Sequence, residues 1–217
     1  MSLQKKGRYM FTLSSFLLFI GTSIVLILIP GPDLIFAITQ GMTNGRKAGF
    51  YTAIGLSLGN IVHTLAAALG LSIIITTSVT AFSIFKWAGA LYLFYLSYKA
   101  IKYRKNPIQI NVAEPKSQRS LLLKGLTMNI LNPKVAIFFL TFLPQFVQYK
   151  HGYVPLQMII LGLIFLILSG IIFALLAYFA GTFSQRLLEK PKFAEYANVT
   201  AAIIYIGLGL KLLTTQP

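Results

Sequence analysis

Apolar residues dominate the chain in long runs, near residues 11–38, 48–76, 81–101, 122–147, 154–183 and 196–214. About 20 such residues, wound as a helix, cross the hydrocarbon core of a bilayer, and each run is long enough. The pattern predicts an all-α polytopic membrane protein of about six transmembrane helices. The second run is richer in Ser, Thr and Gly, with Gly45, Gly49, Gly55, Gly59 and Gly70. Small residues let helix backbones approach in lipid, so this run reads as a packing helix. Residues 102–120, with Pro107, Glu114, Pro115 and Lys116, lack apolar periodicity and predict a polar hinge. It divides one transmembrane domain, 1–217, into a first half of about 11–101 and a second of about 121–217.

Two interruptions stand out. Pro30, Gly31, Pro32 and Asp33 break the first run before an apolar turn resumes at Leu34. Two prolines delete two amide donors, and the carbonyls those amides would have met must find protein, water or ligand. The stretch is therefore expected to line an internal cavity. The fourth run carries a matching break at Asn132 and Pro133, a helix-start signature, followed by Lys134, with Asn129 three residues earlier. Runs one and four hold the same place in their halves, so a 3+3 inverted repeat with discontinuous helices 1 and 4 is expected.

Asp33 is the only acid inside a predicted span. A carboxylate there costs at least about 2.5 to 3.5 kcal/mol on insertion scales, so it should face a partner or an aqueous path. Holding a substrate ammonium and carrying a coupling proton both fit, as does capping the resumed half-helix. The half-helix starts offer amide donors to an anionic group, while unwound carbonyls and Asp33 suit a cation. A zwitterionic amino acid supplies both charges on one carbon. Lys134 can either snorkel to an interface or pair with Asp33. His63 can join a proton relay with Asp33 or bond a neighbouring helix, and Asn60 stands in the same position.

Composition narrows the alternatives. The charge of +15 arises from 19 Lys and Arg, mainly at the ends of apolar runs, where they orient a membrane protein and meet anionic lipid. Nucleic acid is not the expected partner. Twelve of these bases fall in or beside the loops after runs one, three and five, against five at the termini and the other loops. The positive-inside rule puts loop 102–120 in the cytoplasm and both termini outside, although Lys5, Lys6 and Arg8 argue for the opposite. With no cysteine there is no disulfide and no thiolate metal site. No Walker motif, metal constellation or singled-out catalytic Ser is present, so neither an enzyme nor a cofactor is expected.

At Pro30 to Asp33, GRKAG at 45–49, Gly55 and Gly59 with His63, WAGALYLFYLSYKA at 87–100, and NPK at 132–134 leading to FLPQF at 142–146, the chain resembles the LysE/RhtB family of amino-acid exporters. Order and spacing hold from about residue 12 to 214. Where the family usually has Gly near the end of the third span, this chain has Ser97, expected to alter packing only. The resemblance implies efflux of amino acids or their derivatives across a bacterial plasma membrane, coupled to a proton or other ion gradient. It supports Pro30, Pro32, Asp33, Asn132 and Pro133 as site residues. Competing expectations are an ion or metal-oxyanion carrier of the wider superfamily and a non-transporting scaffold. GxxxG spacings leave room for a homodimer.

Overall fold

The computed structural model describes residues 10–71, 78–106, 117–180 and 191–214, and among them the regular structure is entirely helical. Residues 107–116 of the expected hinge, Lys5, Lys6 and Arg8, and the ends of the second and fifth runs lie outside the described residues. In chain order the helices are α1 (Leu13–Leu28), α2 (Pro32–Thr43), α3 (Gly45–Leu65), α4 (Val79–Lys102), α5 (Gln118–Ile130), α6 (Pro133–Ile137), α7 (Val154–Phe179) and α8 (Pro191–Thr214). A wide π turn, Ala66–Leu71, extends α3, and a second, Phe138–Phe142, follows α6 and runs into a tight 3-10 turn at Leu143–Phe146.

Hydroxyl and amide side chains start several of these helices. Thr12, Ser78 and Ser117 accept from the amides of Ser15, Ala81 and Ser120, satisfying donors that have no intrahelical partner. Pro155 sits in the first turn of α7, as its lack of an amide allows. Gln157 ties the turn before α7, donating to the carbonyls of Gln148 and Gly152 and accepting from the Gln148 amide.

Among the described residues, Gly45–Gly70, Val154–Phe179 and Ala194–Thr214 are each long and apolar enough to cross a membrane. Two further pairs pass together but bend at a short break: α1 with α2 by 62°, and Gln118–Ile130 with Pro133–Phe146 by 49°. Counting each bent pair once gives five spans. On α7, Leu163, Ile167, Ile171 and Leu175 form an exposed apolar stripe at four-residue spacing. Such a stripe is stable facing lipid tails.

Helix α3 lies against both α5 and α7, while α4 and α8 pack on one another. Glycines set the closest crossing. A Cβ on Gly55 would collide with the main chain of Leu122, and one on Gly125 would meet the backbone of Thr52 and Leu56. Between α4 and α8, Ser97 Oγ donates to the Ala202 carbonyl at 3.1 Å. Ser97 thus adds an interhelical hydrogen bond beyond the altered packing expected of it. Phe19 of α1, Phe138, Phe142 and Phe146 beyond the second break, and Phe165 of α7 form an aromatic core, with centroid separations from 4.8 to 6.3 Å.

Candidate functional site

Pro30 has no N–H, so the carbonyl of Leu26, four residues earlier, loses its helical donor. The chain runs extended through Gly31 (φ −164°, ψ 176°), which also ends the ladder for Ile29. Both carbonyls are taken by Lys134: its Nζ donates to Leu26 O at 3.2 Å and to Ile29 O at 3.1 Å. A cation at a helix C-terminus also meets the negative end of the helix dipole. The amine therefore neither snorkels to an interface nor forms an ion pair with Asp33. Among the described residues the ion pair present is Arg104 with Glu195, at 3.4 Å.

The second break repeats the logic. Pro133 removes the donor for the carbonyl of Asn129. The Asn132 amide bonds that oxygen at 2.9 Å, and His63 Nε2 of α3 lies 3.0 Å from it. A carbonyl only accepts, so the His63 nitrogen facing it carries the proton. The ring stacks on Phe139, with centroids 5.7 Å apart. Asn132 caps α6 by accepting from the Lys134 amide at 3.0 Å. At each break a proline frees a carbonyl, and a side chain from a distant part of the chain fills it.

Asp33 joins the two breaks directly. Its Oδ2 accepts from Asn129 Nδ2 at 2.8 Å, and Asn132, Lys134 and His63 lie close enough to act on its charge. Exposure is 2% for Asp33, 1% for Asn129 and 0% for Asn60, so the arrangement is closed to solvent. Gly59 of α3 makes room for it, since a Cβ there would strike the Asn129 side chain. Asn60, the next residue, donates from Nδ2 to Ser169 Oγ on α7 at 2.9 Å. Among the described residues, Asp33 Oδ1, Asn129 Oδ1, Asn132 Nδ2 and, on the α7 side of α3, Asn60 Oδ1 are buried with no protein hydrogen-bond partner. A buried polar group without a partner costs about 1 to 3 kcal/mol, so a cluster of them is an exception to normal packing.

The LysE type translocator family matches residues 24–216 of the chain. The chain belongs to that family. It is 31% identical over 207 residues to an uncharacterized membrane protein, YrhP, of Bacillus subtilis (strain 168), covering 91% of this chain and 97% of the relative. It is 30% identical over 191 residues to a leucine efflux protein of Enterobacter sp. (strain 638), covering 86% and 89%. A leucine efflux protein of Klebsiella pneumoniae is 27% identical over 210 residues, covering 95% and 98%. No solved structure matches the chain.

As a LysE type translocator the chain is a multi-pass membrane protein of a transport family rather than of an enzyme family. The structure brings together Pro30, Gly31, Pro32, Asp33, His63, Asn129, Asn132, Pro133 and Lys134, with Asn60 one turn before His63. Ser169, the partner of Asn60, was not singled out in the sequence. The signal was available, because Ser169 is the one Ser or Thr in α7, an otherwise strongly apolar helix. Arg46 of the GRKAG stretch donates to the Tyr178 hydroxyl at 3.1 Å and lies over its ring at 4.2 Å.

Proposed function

We propose that this chain is a secondary-active exporter of amino acids or their derivatives across the bacterial plasma membrane, driven by proton exchange. The observation that carries the reading is the Asp33–Asn129 bond of 2.8 Å. It puts a buried carboxylate from one broken helix on an amide from the other, beside unfilled polar atoms. The leucine efflux proteins among the relatives point to an amino acid as cargo. Both breaks have Pro at the first helical position after the bend, supporting a six-span inverted repeat in which α4, 24 residues long, is a full span. The abundance of bases around 102–120 supports a cytoplasmic position for that loop.

In this reading one three-helix half rocks against the other around the two breaks. Rocking must exchange the Lys134 bonds to α1 and the Asn129 bond to Asp33, so cargo and proton act where the halves are latched. Purified chain in proteoliposomes should accumulate labelled leucine, or another amino acid, in response to an imposed pH gradient. Absence of amino-acid flux under any gradient overturns the reading, and ion flux alone would favour a carrier of ions.

A further inference from the structure

We propose that the segment Phe138–Phe146 is a gate, closing the Asp33–Asn129 network toward the membrane face at which α1 begins; the proposal rests on the exporter reading. The two sides of the breaks are closed by different means. Toward the face where α2 ends, helices touch through their main chains: a Cβ on Gly41 would strike the backbone of Ala177, and one on Gly55 that of Leu122. A passage there needs whole helices to part. Toward the other face, rings close it. His63, whose Nε2 meets Asn129 O, stacks on Phe139, and Phe139 meets Phe165 at 5.3 Å. Phe165 meets Phe138 at 4.8 Å, and Phe19 meets Phe138 and Phe146 at 6.3 and 5.2 Å. All of these phenyl rings are buried. Beyond them a cavity of about 790 Å³ lies between the start of α1 and the turn before α7, with Phe11, Phe16, Gln148 and His151 in its wall. Phe16 is one turn before Phe19 and Gln148 is just past Phe146, so the ring layer separates this cavity from the network.

The backbone beneath the rings is irregular. The α-helical register of α6 stops at Ile137, the π turn Phe138–Phe142 brings the Leu143 amide to the Phe138 carbonyl, and Leu143–Phe146 tightens into a 3-10 turn. The π turn Ala66–Leu71 abuts it, whereas α2, α5 and the Gly45–Leu65 stretch of α3, toward the opposite face, are α-helical throughout. A π turn holds one residue more than an α turn, and such turns gather at functional sites. Passing that residue along the helix rotates everything after it by about 100°, one residue's share of an α-helical turn. Phe142 and Phe146 then leave Phe19 with no helix unwound. Helices α4 and α8 bear on the same segment: a Cβ on Gly89 would meet the Thr141 side chain, and Lys211 Nζ lies 5.3 and 5.1 Å from the ring centroids of Phe142 and Phe146. Opening therefore moves the segment against that pair.

The test uses the chain's lack of cysteine. Ser23 lies one turn beyond Phe19 toward the break, is fully buried, and its Oγ has no protein hydrogen-bond partner, so Ser23→Cys puts a thiol behind the rings without breaking a bond. The full chain is placed in lipid nanodiscs, where both faces meet solvent, and treated with sulfonatoethyl methanethiosulfonate. Adding Phe146→Ala removes a buried phenyl from the closed state and should speed modification of the thiol about tenfold or more. Phe173→Ala, as large a loss on α7 but about 12 Å along the helix from Phe165, should weaken the fold comparably and leave the rate unchanged. For the register change, Gly89→Cys with Thr141→Cys joins positions whose Cβ atoms lie 3.0 Å apart, a small shift from disulfide geometry. Oxidation of the pair should stop counterflow of labelled leucine in proteoliposomes and a reductant should restore it, with neither single variant responding. Modification that Phe146→Ala does not speed, or that Phe173→Ala speeds equally, overturns the gate. Undiminished counterflow after complete cross-linking overturns the change of register. Absence of amino-acid counterflow by the unsubstituted chain is instead a failure of the exporter reading, and the modification rates, which need no cargo, still decide the gate.

Discussion

Lys134 donates to the carbonyl oxygen of Leu26, 3.2 Å away, in place of the amide that Pro30 lacks. The same ammonium reaches Ile29 O, so one side chain of the second break closes the first half-helix of the other. Lys134→Met removes both bonds and leaves two carbonyls in apolar surroundings, where a lost hydrogen bond to a charged group costs about 1.5 to 3 kcal/mol. We expect a lower melting temperature in detergent and loss of amino-acid flux. Lys134→Arg should keep more stability than flux, because the wider guanidinium must sit against Gly31, whose Cβ position is 3.3 Å from Nζ. Unchanged melting and flux in the Met variant would refute the latch.

Asp33→Asn tests the carboxylate with little change of shape. The substituted amide still offers an oxygen to Asn129 Nδ2, so insertion and folding should survive. Charge is lost, and with it the capacity proposed for Asp33 to hold a substrate ammonium or to carry a coupling proton. Accumulation driven by a pH gradient should vanish, measured in proteoliposomes at equal protein. Full gradient-driven export by the variant would sink the coupling role.

Which carbonyls would be stranded was readable from the sequence, because a proline withdraws a donor from the residue four before it. Who fills them was not. Lys134 is 108 residues from Leu26 and His63 is 66 from Asn129, and only tertiary packing joins such pairs. The end of the first span differs from its apolar run for a related reason. Its apolar run stops at Ile38, yet α2 continues to Thr43 with Gln40 fully buried. Polar residues facing protein rather than lipid extend a helix that hydropathy ends early. Ser97 shows the same blindness, since its bond to Ala202 O depends on a helix 105 residues away.

Glycine contacts on α3 give a stability prediction. Gly55→Ala drives a Cβ into the main chain of Leu122, which cannot move without shifting α5. Overpacking of this kind costs typically about 1 to 3 kcal/mol, and α5 carries Asn129, so thermal stability and flux should fall together. Gly21→Ala is the control, because nothing lies within 4 Å of its Cβ position. There the helix-propensity gain should leave stability equal or higher. Equal melting temperatures for the two variants would contradict the close α3–α5 crossing.

Orientation can be measured cleanly because the chain has no cysteine. Lys105→Cys follows α4 and Lys150→Cys lies in the turn before α7, so the two label opposite sides if an odd number of spans separates them. By the positive-inside rule, the excess of Lys and Arg around 102–120 predicts that position 105 is cytoplasmic. In intact cells a membrane-impermeant maleimide should react at 150 and spare 105, and permeabilised cells should expose both. Both sites are charged and solvent-facing, so a thiol in either place should leave packing intact. Labelling of 105 from outside would reverse the orientation, making the three bases before the first span decisive over the loops. Labelling of both would mean that the bent pair α5–α6 enters and leaves the membrane on one side, which would dismantle the six-span repeat while leaving the Asp33–Asn129 contact in place.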